Sequence, residues 1–568
     1  MPDYDPASHE IPHRVRDDRE SVMKKTWIVL FLIVLLAGIL RFWHLGSVPP
    51  SPDWDEAALG YNAYSLLHTG KDEYGMTFPF VFRSFDDYKP GLYIYLVMPF
   101  VALFGLTVEA VRMPSALFGV LTVLATYFLV KELFKNQKLA LLASFLLAIS
   151  PWSIQFSRIG FESNVGVAFN VFAALFFLKG LRRPWLLTIS AFFAAINLYE
   201  YQSEKVFTPL LFVALILIFR KQLFALPKKY FVTAALVGML ITLPLVYYTL
   251  TNKEGLARAK GVSVFSEQSL VAQNAQRLIA DRSNNDYLGL VFDNRRLEFV
   301  KAVAHGYLSH FDLNWLFVTG DLARHHAPFM GLLYLWELPF LLIGIYGLVF
   351  GKFDTKAKLF VFSWFLVAPI PASITSGVPH AVRTLNFLPL FQIFVAIGLL
   401  AAWQAITNYQ LRITNFKIKY VIYVLFALLV IFNFLYYLNQ YFIQQNYYNS
   451  EEWQYGYQEA VANVQQIQNK YQKIIVSNQP PLDQSYMFFL FYLHYPPAKY
   501  QQETKDTSGG FRENHTFGKY QFRPIVWKDE AKRDSLFIGR PQDIPSDAKV
   551  IKYIDYLDGK PAIVIAAP

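Results

Sequence analysis

The chain contains no cysteine, so disulfide staples and thiolate metal sites are excluded. It is also poor in charge: 17% of its 568 residues are charged, where soluble domains carry roughly a quarter. No P-loop, GxGxxG or HExxH pattern occurs, which removes support for ATP hydrolysis, nicotinamide chemistry and zincin proteolysis. No internal repeat or low-complexity run stands out.

What is abundant is apolar surface. Hydrophobic residues make up 54% of the chain and aromatics 17%, and they gather into blocks of bilayer-spanning length. The first block, Thr26–Leu40, follows Lys24 and Lys25 and runs directly into Arg41-Phe42-Trp43-His44. It lacks a small-residue cleavage pattern and reads as an uncleaved anchor. Ten more fall near 114–130, 139–157, 163–178, 184–199, 206–219, 230–250, 327–350, 359–379, 385–406 and 420–438.

Gly91–Thr107 is apolar too, but short and interrupted by Pro99 and Gly105. Whether it crosses decides the orientation of everything after it. If it does not, the connections holding Lys131, Lys135, Lys138, Lys179, Arg182, Arg183, Arg220, Lys221, Lys228, Lys229, Lys352, Lys356, Lys358, Arg412, Lys417 and Lys419 all lie inside. If it does, all of these cations lie outside. The positive-inside rule therefore makes 91–107 an interfacial or re-entrant segment and gives eleven spans, the N-terminus inside and the C-terminus outside. The net charge of +10 is then largely a matter of cytoplasmic loops and implies no nucleic-acid partner.

This topology sorts the rest. Residues 1–22 are polar and read as a disordered cytoplasmic leader, and 23–439 as the transmembrane domain, with outer loops 43–113 and 251–326. Residues 440–568 read as an extracytoplasmic α/β domain. It has a strand at Lys473–Ser477, a helix around Tyr486–Tyr492, and a hairpin over Lys549–Ala567 turning at Asp558-Gly559. The fold class is a polytopic α-helical membrane protein with a C-terminal α/β domain, in the cytoplasmic membrane.

The scarce charges at the outer edge of the hydrocarbon are the candidates for chemistry, because ionisable groups at that depth are costly unless paired or lining a polar cavity. Asp53, Asp55 and Glu56 crowd the start of the first outer loop. One of them can serve as a general base, or Asp53 or Asp55 can simply cap the helix that follows. Asp86, Asp87 and Lys89 sit where that loop re-enters the apolar phase, and a lysine there suits a phosphate at headgroup level. Arg112, Arg158, Glu162, Glu204, His380 and Arg383 lie on further outer turns, and Arg258 lies in the second long loop. The acids Asp53, Asp55, Asp86 and Asp87 could also supply oxygen ligands to a divalent cation. His325-His326 would point to different faces of a helix and form no metal pair. Glu337, within an apolar block just before Pro339, can pair inside the bundle or begin a broken helix.

These residues form a pattern. Asp55-Glu56, Lys89-Pro90-x-Leu92 and Arg112-Met-Pro-Ser-Ala-Leu-Phe-Gly119 resemble the dolichyl-phosphate-mannose protein mannosyltransferases and the lipid A aminoarabinose transferases. Both belong to the membrane glycosyltransferase superfamily of the C-type fold. Ser157-Arg158 with Glu162, and Pro379-His380-Ala-x-Arg383 before Leu388-Pro389, resemble later elements of those families.

The resemblance implies a polyprenyl-phosphate-linked sugar donor, an acceptor outside the cytoplasm, and transfer with inversion. It assigns catalysis to Asp55 supported by Glu56, and the donor phosphate to Lys89, Arg158 and Arg383. Asp53, Asp87, Arg112, Glu162, Glu204, His380 and Arg258 would play supporting roles. Trp453-Gln-Tyr-Gly-Tyr457 superficially resembles an oligosaccharyltransferase signature but reads as a packing motif between bundle and outer domain. Two other readings stay open: a transporter or flippase of a lipid-linked glycan, and a non-catalytic envelope scaffold.

Overall fold

The computed structural model describes residues 13–85, 87–252, 261–407, 416–504, 510–530 and 534–568. Helix α1 (His13–Phe42) starts within the segment expected to be a disordered leader; residues 1–12 lie outside the described part. The chain then forms α2 (Trp54–Thr69) and a short hairpin of β1 (Val81–Ser84) and β2 (Asp87–Pro90), with Phe82 opposite Lys89. Next come α3 (Leu92–Phe104), α4 (Val108–Phe134), α5 (Gln137–Ile149), α6 (Pro151–Ser157) and α7 (Glu162–Gly180). They are followed by α8 (Leu186–Ile196), α9 (Glu204–Leu223) and α10 (Lys228–Thr251).

Among the described residues seven helices are long and apolar enough to cross a membrane. An eighth span arises if α5 and α6, bent by 59° at Ser150-Pro151, act as one. Pro151 at the first helical position and the Ser150 side chain accepting from Ser153 N restart the helix after the bend. The other three of the eleven expected spans fall on shorter pieces: Leu186–Tyr199, Glu337–Phe350, and Thr355–Val367, beyond which Pro369 breaks the run. The expected count is thus met by length at only seven or eight, because prolines and irregular turns divide the remaining apolar blocks. The molecule is a multi-pass helical membrane protein. Segment 91–107 contains α3, a helix of 13 residues too short to span.

Close helix crossings build the membrane part. A Cβ on Gly344 would lie 1.8 Å from the Phe394 carbonyl oxygen, and one on Gly398 would lie 1.9 Å from that of Phe340. Only glycine permits backbones to approach so near, the device by which apolar helices gain packing where no hydrophobic drive exists.

The C-terminal part holds a six-stranded mixed sheet. Its strands are β3 (Lys473–Val476), β4 (His515–Phe517), β5 (Tyr520–Phe522), β6 (Ser535–Gly539), β7 (Lys549–Asp555) and β8 (Pro561–Ala567). Their order is β4-β5-β3-β6-β8-β7, with β3 parallel to both of its neighbours. The β7–β8 hairpin turns through Gly559 at φ 84°. One hydrophobic core joins this sheet to the bundle: Ile474, Val476, Phe488 and Phe489 pack in the same cluster as Ala57, Tyr61 and Ile94 of α2 and α3. Tyr61 Oη donates to the Tyr495 carbonyl at 3.0 Å across that seam. Trp453 is fully buried under the Arg112 guanidinium, and Tyr457 lies in the shared core, as a packing motif requires.

Candidate active site

The site begins with the capping of α2. Asp53 takes the extended N-cap conformation; its side chain accepts from Glu56 N at 2.8 Å, and Glu56 Oε2 accepts from Asp53 N at 3.3 Å. This reciprocal capping box satisfies two otherwise orphaned donors. Glu56 is held from its other side as well. It accepts from Arg112 Nε at 2.7 Å and Nη2 at 2.8 Å, and from Gly160 N at 2.7 Å, with no exposure. Arg112 completes its own shell on the carbonyls of Leu45, Pro49 and Ser51. Glu56 and Arg112 therefore brace the first loop against α4 and do not reach the cavity beside Asp55.

Asp55, two residues past the cap, is left to border a cavity at the helix end. It pairs with Lys89, which the β1–β2 hairpin carries back towards α2. Both line a cavity of about 190 Å³ between helix ends and the loops that join them. Asp87, Glu162 and Tyr201 also line it, and Arg324, His325 and His380 form the wall contributed by later loops. Arg324 bridges to Asp53 Oδ2 at 3.0 Å while lying over the Trp54 ring. Burial pulls the Lys89 ammonium down, but Asp55, Glu162 and Asp87 outweigh that and hold it above its ordinary value. Burial raises the Asp53 carboxyl to about 7 against the opposing field of Arg324. Burial also lowers His325, against the opposing pull of Asp321.

Two cations expected to hold the phosphate are placed differently. Arg158 is fully buried and donates to the carbonyls of Leu40, Arg41, His44 and Val48, beneath the Phe442 ring. It fixes the chain where α1 ends. Arg383 donates to Thr375 Oγ1 and Ser376 O, both at 2.6 Å, outside the cavity lining. Arg258 lies outside the described residues. Glu204 is buried and absent from the cavity lining; Asn170 and Asn386 each donate to it at 2.6 Å.

Of the acids expected as oxygen ligands, Asp53 and Asp55 are engaged with Arg324 and Lys89, and Asp86 lies outside the described residues. The donors that do converge are Asp321, His325 and His380. Arg324 and Asp321 are absent from the sequence reading. Arg324 had a usable signal: like Lys89, it is a cation a few residues before an apolar block.

Residues 88–248 match the family described as dolichyl-phosphate-mannose-protein mannosyltransferase. No curated protein matches the chain by sequence. The architecture matches the crystal structure of ArnT from Cupriavidus metallidurans bound to undecaprenyl phosphate, with a TM-score of 0.54 at 12% identity over 95% of this chain and 98% of that one. The chain has the C-type membrane glycosyltransferase fold. ArnT from the same organism in the apo state gives a TM-score of 0.52 at 13% identity, covering 96% and 98% of the two chains. The archaeal oligosaccharyltransferase AglB from Archaeoglobus fulgidus, in complex with an inhibitory peptide and a dolichol-phosphate, gives 0.50 at 14% identity over 83% of this chain. The chain spans only 63% of the length of that AglB.

Proposed function

We propose that the chain transfers a hexosyl or pentosyl unit from a polyprenyl-phosphate-linked donor to an acceptor outside the cytoplasm. The observation that carries this reading is the pairing of Asp55 with Lys89 in a charged cavity where the helices meet the outer loops. Arg324 supplies a second cation at the wall. The undecaprenyl phosphate in ArnT and the dolichol-phosphate in AglB support a lipid phosphate as the leaving group.

The acceptor hydroxyl attacks the anomeric carbon as Asp55 takes its proton, and the bond from that carbon to the phosphate oxygen breaks. Lys89 and Arg324 stabilise the negative charge that grows on the departing polyprenyl phosphate. A single displacement inverts the anomeric centre. In this reading the N-terminus lies on the cytoplasmic side of the membrane and residues 440–568 form the domain on the opposite side.

Purified protein given a polyprenyl-phosphate sugar and a cell-envelope extract is expected to release polyprenyl phosphate. Failure of release with every lipid-linked sugar supplied, from protein that remains folded, overturns the reading.

A further inference from the structure

We propose that Asp321, His325 and His380 bind one divalent transition-metal ion, zinc by ligand chemistry, in the wall of the cavity. The three side chains come from two separate loops. Asp321 and His325 belong to the turn that ends the second outer loop, and His380 follows Gly377, whose φ is 68°. One donor atom from each residue lies within 4.8 Å of the others.

The surroundings prepare these donors. Asp321 Oδ2 lies 2.7 Å from His325 Nδ1 and accepts from Ala381 N at 2.8 Å, so one carboxylate ties the two loops together. Nδ1 of His325 and Oδ2 of Asp321 thus face one another, and an ion ligated by both would take the place of the proton they share. His380 has its backbone fixed by donation of its N–H to His310 Nε2 at 3.1 Å, while its own Nδ1 is buried without a partner. His310 is not a fourth ligand. Its Nδ1 faces the Gly306 carbonyl at 2.6 Å and its Nε2 already accepts from His380.

Two imidazoles and a carboxylate, in a chain without thiols, suit Zn²⁺ far better than Mg²⁺ or Ca²⁺, which want an all-oxygen shell. Fewer than four protein ligands leaves a position open. His325 and His380 both border the cavity that Lys89 and Arg324 also line. Resting on the glycosyl-transfer reading, the ion would face the phosphate oxygens and join those two cations in holding the leaving group. This site differs in residues and place from the Asp53–Asp87 acids that the sequence suggests for a cation.

The test starts from full-length protein carrying a tag free of histidine, stripped with a chelator, incubated with Zn²⁺ and dialysed. Metal analysis is expected to find about one zinc per chain. Loading with Co²⁺ instead is expected to give the strong visible absorption of a low-coordinate ion. His380→Asn and His325→Gln should lose the zinc, and Asp321→Asn should weaken competition against a chromophoric chelator by about 10–100-fold. His380→Asn borders the cavity without bracing the bundle, so its zinc-free melting temperature should match that of the stripped parent.

The proposal is overturned if the parent retains no zinc, or if folded His380→Asn and His325→Gln retain as much as the parent. All of these readouts need no donor. A chain that binds zinc at these residues yet never releases polyprenyl phosphate refutes the transfer reading and leaves the metal site standing.

Discussion

Glu56 and Arg112 meet in a two-pronged ion pair from which solvent is fully excluded on both sides. Fifty-six residues apart in sequence, they fasten the segment between α1 and α2 to the entrance of α4. Breaking a buried pair by neutralising one member leaves an uncompensated charge and costs about 3–5 kcal/mol. Glu56→Gln should therefore lower the melting temperature of the detergent-solubilised protein markedly. If melting is unchanged, the brace has no structural weight.

Asp55 stands one residue from that brace, yet its carboxylate borders the cavity. Asp55→Asn keeps the size of the side chain and removes the base. The rate of polyprenyl phosphate release should fall by about 10²–10⁴-fold with melting unaltered. Full rate in this variant would exclude Asp55 as the proton acceptor.

Arg158 and Arg324 are both arginines on turns beside apolar helices, but their surroundings differ in the structure. Arg158→Lys cannot serve four carbonyls and should melt early, while whatever protein stays folded keeps its donor KM. Arg324→Lys should fold normally and raise the donor KM or lower kcat. The comparison is a pair of melting curves beside a pair of saturation curves, and exchanged phenotypes would reverse the assignment.

Glu73 supplies a pH test outside the membrane. Its Oε1 accepts from Asn62 Nδ2 at 3.2 Å, its Oε2 is buried without a partner, and burial raises its carboxyl to about 8. The folded chain thus holds a proton that the unfolded chain releases near 4.5. The stabilisation from this group is complete below about 4.5 and is lost as pH rises towards 8. Melting temperature should decline across that interval, and Glu73→Gln, which keeps the Asn62 contact, should flatten this part of the decline. An identical slope in both proteins would show that Glu73 does not hold the proton.

Gly344 crosses the partner helix at the Phe394 carbonyl. Gly344→Val should push Glu337–Phe350 away from Leu390–Thr407 and lower the yield of folded, monodisperse protein. Ala at Gly347, whose nearest neighbour would lie at 3.6 Å, should be tolerated.

The placement of charge along the chain makes part of this site legible. Asp55, Lys89, Glu162 and His380 stand out because an ion beside hydrocarbon is costly, and the cavity gathers all four. The spacing Asp53-x-x-Glu56 also announces a capping box, which accounts for two of the three acids at the start of α2. Arg158 could not be told from Arg324 in this way. The carbonyls that engage Arg158 are presented by the irregular path after α1, through His44 at φ 51°, and no local pattern announces that path. Likewise, adjacency in sequence joins His325 to His326, whereas its neighbours in the fold are Asp321 four residues back and His380 in another loop. In the fold, apolar blocks locate the helices, but prolines and bends decide which of them are long enough to span.

The core shared by the C-terminal sheet with α2 and α3 has a consequence for inheritance. A module attached by a linker can be exchanged between lineages without harm to its host. Here Tyr61 and Ile94 find their cover in Phe488, Phe489 and the strands around them, so the helix that presents Asp55 is finished only when the last residues of the chain have folded onto it. A lesion in β6 or β8, far from any sugar, would surface as a membrane protein unable to hold its first loop. Under the transfer reading, a change of acceptor is expected to come from the loops around this frame and not from exchange of the frame itself.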